Sequence, residues 1–275
     1  VSMFSSFMVN TWIVASLVAV VAGVVGFFVV IRGASFAAHA LPLGAFPGAA
    51  AAGLVGVDPL VGLIVFAGIG VLGVSWLGRQ GRREVATALS LVMLLGLGAL
   101  FLSMTTEYSQ AVYALLFGEV LGVSSADIVP VAVISIVVVA LISLNFRPLL
   151  LSSLSSDLAT ARGVACGRME LGFLAILALA TAMALPVVGA LLVFSLMIGP
   201  ASAARLLSDR PVPAILLSVC LSVVTVWTAI ALSWISDWPV GFFVGGLGAA
   251  WYGFGRLWTR MRARQRSHTV AVVRN

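Results

Sequence analysis

The chain has 275 residues, of which 62% are apolar and 9% charged, and its formal net charge is +6. A soluble protein of this size needs more polar surface than such a composition supplies, so the bilayer must act as its solvent. All 15 basic residues are arginine, which excludes a nucleotide-binding P-loop, because Gly-x-x-x-x-Gly-Lys-Ser/Thr cannot be written without lysine.

Apolar runs of roughly 17 to 25 residues recur along the chain, each enough to cross a hydrocarbon core of about 30 Å as a helix. The short alternating segments of a transmembrane β-barrel do not occur. The expected fold is an all-α integral membrane bundle of about 8 to 9 transmembrane helices. Breaks at charged and Pro/Gly positions place spans near residues 7–31, 35–56, 59–78, 85–104, 128–145, 171–186, 187–204, 213–235 and 239–256. Residues 1–256 then form one transmembrane domain and 257–275 a basic tail. No basic residue precedes the first run, and it is too long for the apolar core of a signal peptide, so it reads as a retained helix.

Charge sets the orientation. With the N-terminus outside, Arg32, Arg79, Arg82, Arg83, Arg147, Arg162, Arg168, Arg205, Arg210 and the tail from Arg256 onward all face the cytoplasm. The opposite orientation would put every one of them outside. The C-terminus is therefore expected in the cytoplasm, with Asp58, Glu107, Glu119, Asp127 and Asp237 facing outward.

Three stretches do not read as plain spans. Residues 111–121, within 105–127, are apolar but too short to cross, which suits a re-entrant or surface helix at the outer mouth. The junction at 186–189 allows only a very tight turn, so either the sixth or the seventh span is expected to be a half-helix. Residues 149–170 form the longest cytoplasmic connection. Within it Ser155, Ser156 and Asp157 are N-cap candidates, and Gly163 can end a short helix in the left-handed conformation. Such a helix outside the bilayer can dock in a partner's groove and pass rigid-body motion to the spans; the other reading is an ordinary connecting loop.

The tail carries Arg256, Arg260, Arg262, Arg264 and Arg266 directly after a span. That position favours anionic membrane lipid over nucleic acid, and leaves His268 solvated. Cys166 falls in a polar loop and Cys220 in an apolar run, so no disulfide between them is expected.

Four segments together resemble the permease subunits of the divalent-metal ABC importers, the family that takes up zinc, manganese or iron. They are Gly26-Phe-Phe-Val-Val-Ile-Arg32 with Ser35-Phe36 and Phe46-Pro47-Gly48; Leu116-Phe-Gly-Glu-Val-Leu121 with Ser124 and Asp127; Asp157, Ala161 and Gly163; and Val188-Gly-Ala-Leu-Leu-Val193 with Pro200-Ala-Ser-Ala-Ala-Arg-Leu206. The resemblance implies that the chain performs transport and no covalent chemistry of its own. It implies a second permease copy and a cytoplasmic ABC ATPase that binds ATP beneath the segment Asp157 to Gly163. It also implies an extracytoplasmic metal-binding protein and a place in the plasma membrane of a prokaryote. No cofactor is expected in this chain.

One departure concerns the cargo. The family's second helix typically carries Asp and, four residues later, His, on one face toward the pathway. Here those positions hold His39 and Leu43. His39 is the one histidine within a span and is the candidate pathway and metal-contacting residue; the alternative is a neutral imidazole bonded to a backbone carbonyl freed by Pro42 or Pro47. An imidazole suits zinc, iron, copper or nickel better than oxygen-preferring manganese, and a single ligand leaves the metal open.

Met93, Met104, Met183 and Met197 read as packing rather than a thioether path. Gly23-x-x-Gly26, Gly44-x-x-x-Gly48 and Gly245-Gly-x-Gly248 read as points of close helix approach. A secondary transporter would need intramembrane carboxylates and repeated halves. An intramembrane enzyme would need a paired catalytic constellation. Neither pattern is found. A chelated metal or another small solute remains open as cargo.

Overall fold

A computed structural model describes residues 6–78, 83–104 and 123–273, and among these every regular element is a helix. In chain order they are α1 (Ser6–Ile31), α2 (Ser35–Val55), α3 (Pro59–Leu77), α4 (Arg83–Ser103), α5 (Ser125–Leu144), α6 (Phe146–Leu154), α7 (Ser156–Ala161), α8 (Cys166–Val188), α9 (Ala190–Leu207), α10 (Pro211–Ser236) and α11 (Val240–Val273). Seven of them, α1 to α5, α8 and α10, are long and apolar enough to cross a membrane. The remaining expected spans fall on α9, whose apolar run is the shorter Leu192–Leu207, and on the first half of α11. The suggested re-entrant segment at 111–121, its motif from Leu116 to Leu121, Arg79 and Arg82 lie outside the described residues.

Local chemistry accounts for most of the helix ends. Asp58 starts α3 by accepting the Leu60 N–H at 2.7 Å, with Pro59 placed where its missing N–H costs nothing. The Asp127 carboxylate starts α5 by accepting the Ser124 N–H and hydroxyl, both at 2.9 Å. α2 ends at Gly56, with φ 73°. The chain between α8 and α9 is a single residue, Gly189, at φ 80° and ψ 157°, a region open almost only to glycine. The tight turn expected at 186–189 is this one residue. α8 has 23 residues and α9 has 18, because Pro186 is accommodated inside α8 and the whole turn is concentrated at Gly189. α8 also begins at Cys166, five residues ahead of the expected start at 171.

α1 sits at the centre of the packing. It touches α5, α8, α9 and α10, while α2 packs on α3 and α4, and α9 packs on α11. Small residues set these crossings, as apolar residues cannot drive helices together when the surroundings are equally apolar. A Cβ at Gly23 would lie 2.6 Å from Val219 Cα on α10, and one at Gly26 would strike the Met197 carbonyl on α9. Gly48 of α2 and Gly62 of α3 meet backbone to backbone, as do Gly199 of α9 and Gly248 of α11. Gly245 and Gly246 face open space, so of that motif only Gly248 serves close approach. Hydrogen bonds pin the same contacts: Ser218 Oγ donates to the Gly23 carbonyl at 2.8 Å, and Trp227 Nε1 donates to Ser16 Oγ at 2.9 Å. These two bonds pair rising numbers on α1 with falling numbers on α10, so the two helices run antiparallel.

At one end of the bundle several helix termini meet. Arg32, the end of α3 at Val74, the start of α4 at Glu84, Ser152 of α6 and the start of α8 at Glu170 border one cavity. The end of α9 joins α11 at that end, where a Cβ on Gly255 would touch Ala203 and Leu206.

Candidate transport pathway and coupling segment

His39 lies in the second turn of α2, beside the core. Its ring stands edge-on to Phe194 of α9, with centroids 4.9 Å apart and planes at 67°. Nδ1 is enclosed and makes no hydrogen bond. The carbonyls freed by Pro42 and Pro47 therefore do not satisfy this nitrogen, and the backbone-bonded alternative lacks its bond on that side of the ring. Phe194 also walls a groove of about 420 Å³ between α9 and α11, with Ser195, Ser202 and Tyr252 supplying its hydroxyls and Gly199 and Gly248 its floor. His39 thus stands one aromatic ring away from an open, mostly apolar channel-like space. Leu43, one turn further along α2, is packed against the core. Phe194 had no motif to mark it; only the folding of α9 against α2 reveals it.

The methionines do not converge. Met183 and Met197 are buried, Met93 and Met104 are 61% and 64% exposed, and Met183 Sδ accepts the Ser135 hydroxyl. Among the described residues no group of three or more His, Cys, Asp or Glu side chains could hold a metal ion. Both cysteines are free, and Cys166 sits at the start of α8, its sulfur 3.5 Å from Thr160 Oγ1 on α7.

The segment 149–170 holds two helices where the sequence marked one. α6 was hidden by its place directly after α5; Asn145 serves as the last cap of one and the first of the other, and Pro148 in the first turn was the available signal. α7 has the expected caps. Ser155 Oγ accepts the Leu158 N–H at 3.2 Å, and Gly163 takes φ 77° while its N–H and that of Val164 close on Thr160 and Ala159 carbonyls at 2.9 Å. Ala159 is fully buried and anchors α7, whereas Asp157, Leu158, Ala161 and Gly163 are exposed. α7 is thus a short helix capped at both ends, with one face buried and the other exposed.

A bundle of apolar helices, seven of them long and apolar enough to cross a membrane, defines a polytopic integral membrane protein. The chain belongs to the ABC 3 transport family, whose model matches residues 4–247. It is therefore a transport component. It is 30% identical over 238 residues to the manganese transport system membrane protein MntC of Listeria monocytogenes, covering 86% of this chain and 85% of that one. It is 29% identical to the manganese import system permease protein ScaB of Streptococcus parasanguinis, over 78% of this chain and 77% of that one. In fold it is similar to a chain of the PsaBC structure from Streptococcus pneumoniae in complex with Fab, with a TM-score of 0.83, 24% identity and 92% of each chain covered.

Proposed function

We propose that this chain is the transmembrane permease of an ATP-driven importer of divalent metal ions, with manganese as the first cargo to test and zinc and iron beside it. Family membership supplies the transport class, and the observation that carries the mechanism is α7: exposed, capped at both ends, and followed in the chain by Arg162 and Arg168. By the positive-inside rule the α7 end of the bundle is cytoplasmic, which puts the N-terminus outside the plasma membrane of a prokaryote and eight or nine spans across it. Asp157, Ala161 and Gly163 then present α7 to a separate ABC ATPase, which binds and hydrolyses the ATP. A binding protein delivers the ion from outside, a second copy of the chain completes the pathway, and the basic end of α11 meets anionic lipid.

His39 is the pathway residue. Its Nδ1 makes no hydrogen bond and its ring meets Phe194, which lines the α9–α11 groove; movement of Phe194 would open to a passing ion one imidazole contact and no cage. Manganese prefers oxygen donors, so the names of the relatives and the chemistry of His39 pull in different directions. The deciding experiment is ATP-dependent uptake of manganese, zinc and iron into proteoliposomes holding the chain with its ATPase and binding protein, in wild type and His39→Ala. Selective uptake that the substitution lowers by about tenfold supports the reading. Uptake indifferent to the substitution removes His39 from the path. A complex whose ATPase answers the binding protein yet moves no ion points to a chelated metal or another small solute.

A further inference from the structure

We infer that Arg32 is the positioning residue that carries movement of α7 into α2, an inference that rests on the importer reading above. Its backbone belongs to the corner between α1 and α2. The Arg32 N–H closes on the Phe28 carbonyl at 3.0 Å, Ala34 N–H closes on Val29 at 2.9 Å, and Gly33 turns through φ 64° so that α2 can begin at Ser35. A residue held this tightly cannot shift without shifting the first turn of α2, and His39 lies in the next.

Its side chain leaves that corner and reaches both arms that carry α7. Nη2 donates to the Leu149 carbonyl at 3.2 Å and to the Ser152 hydroxyl, both on α6, which enters α7 through Ser155. The guanidinium carbon lies 4.9 Å over the ring of Phe173 on α8, the helix that leaves α7. A planar guanidinium can hold both contacts at once, offering its edge to oxygen acceptors and its face to the ring; a lysine ammonium has no such division. One side chain therefore spans the input and output arms of the coupling segment.

The surroundings allow this contact to move without breaking. Arg32 borders the cavity of about 210 Å³ together with Ser152, Ser153, Glu84 and Glu170. These oxygens keep the guanidinium solvated by the protein while α6 and the α1–α2 corner move together. The packing of α6 itself does not depend on Arg32: Phe146 stands edge-on to Phe28 with centroids 6.0 Å apart, and Leu149 is buried in the core. Removing Arg32 should thus loosen transmission and spare assembly.

The test uses the complete complex of permease, ATPase and binding protein in proteoliposomes, with manganese as the probe, and reads ions taken up per ATP hydrolysed beside the thermal midpoint of the solubilised complex. For Arg32→Gln we expect that ratio to fall about tenfold while hydrolysis continues and the midpoint holds. Arg32→Lys should fall between the two. Ser152→Ala should lower the ratio by about twofold alone, and add little to Arg32→Gln, since the bond it removes is already gone. A wild-type ratio in Arg32→Gln overturns the inference, as does a parallel loss of uptake, hydrolysis and midpoint, which marks a merely structural residue. A wild-type complex with no ATP-driven uptake of manganese, zinc or iron overturns the metal-importer reading itself, a result visible before any variant is made.

Discussion

α2 and α5 are both expected spans, and they invert the usual relation between hydropathy and burial. α2 is the least apolar of the seven candidate spans, with a mean hydropathy of 1.3, yet 67% of its window is buried; α5 has a mean hydropathy of 2.7 and only 22% is buried. In water the more apolar helix would sit inside. In a bilayer the lipid is as apolar as leucine, so hydropathy alone does not choose the interior: α1, the most apolar span at 2.9, is also 67% buried, and close packing and polar groups decide the rest. α2 has both features: Gly44 and Gly48 for approach, and His39 with two prolines for polarity. α5 is a run of valine and isoleucine, with Val129 and Ile136 67% and 68% exposed.

Substitutions on these two helices, and at two contacts elsewhere, can break or sharpen this contrast. Gly48→Leu should have the largest effect, because even a Cβ there strikes the Gly62 carbonyl; we expect a loss of about 3 kcal/mol or more, read as a lower thermal midpoint or failure to purify as a folded chain. Ser218→Ala should cost about 1 kcal/mol by removing the buried bond to the Gly23 carbonyl, measurable as a modest drop in midpoint in detergent. Gly163→Ala should cost a similar amount, about 1 kcal/mol, confined to the end of α7 where φ is 77°, and should appear as faster amide exchange at 158–164. Ile136→Ala on the outward face of α5 should stay within about 0.5 kcal/mol of wild type. If it proved as damaging as Gly48→Leu, that face of α5 would have to be covered by protein rather than lipid.

The spans and the short helix at Ser155 to Gly163 were legible because each rests on a local rule. A run of apolar residues is a span wherever it packs, and a serine cap followed by a left-handed glycine closes a helix whatever surrounds it. The junction at Gly189 was only half legible. The need for a tight turn shows in the sequence, but whether it shortens a helix depends on how α8 accommodates Pro186. α6 went unseen because no polar break parts it from α5.

The candidate site divides in the same way. His39 stood out as a histidine within an apolar span, a fact of composition along the chain. Its neighbour Phe194 lies 155 positions away by number, and the bond from Arg32 to Ser152 crosses 120. Both exist only because α1 and α2 fold against α9 and α6. The amino-acid sequence by itself determined that this protein is built of apolar helices able to span a membrane and where most of them run, since each follows from residues close together in the chain. The tertiary structure alone decided which spans are buried, which ring faces His39 and what Arg32 holds, because in a uniformly apolar solvent those outcomes depend on shape and on polar pairing between distant segments.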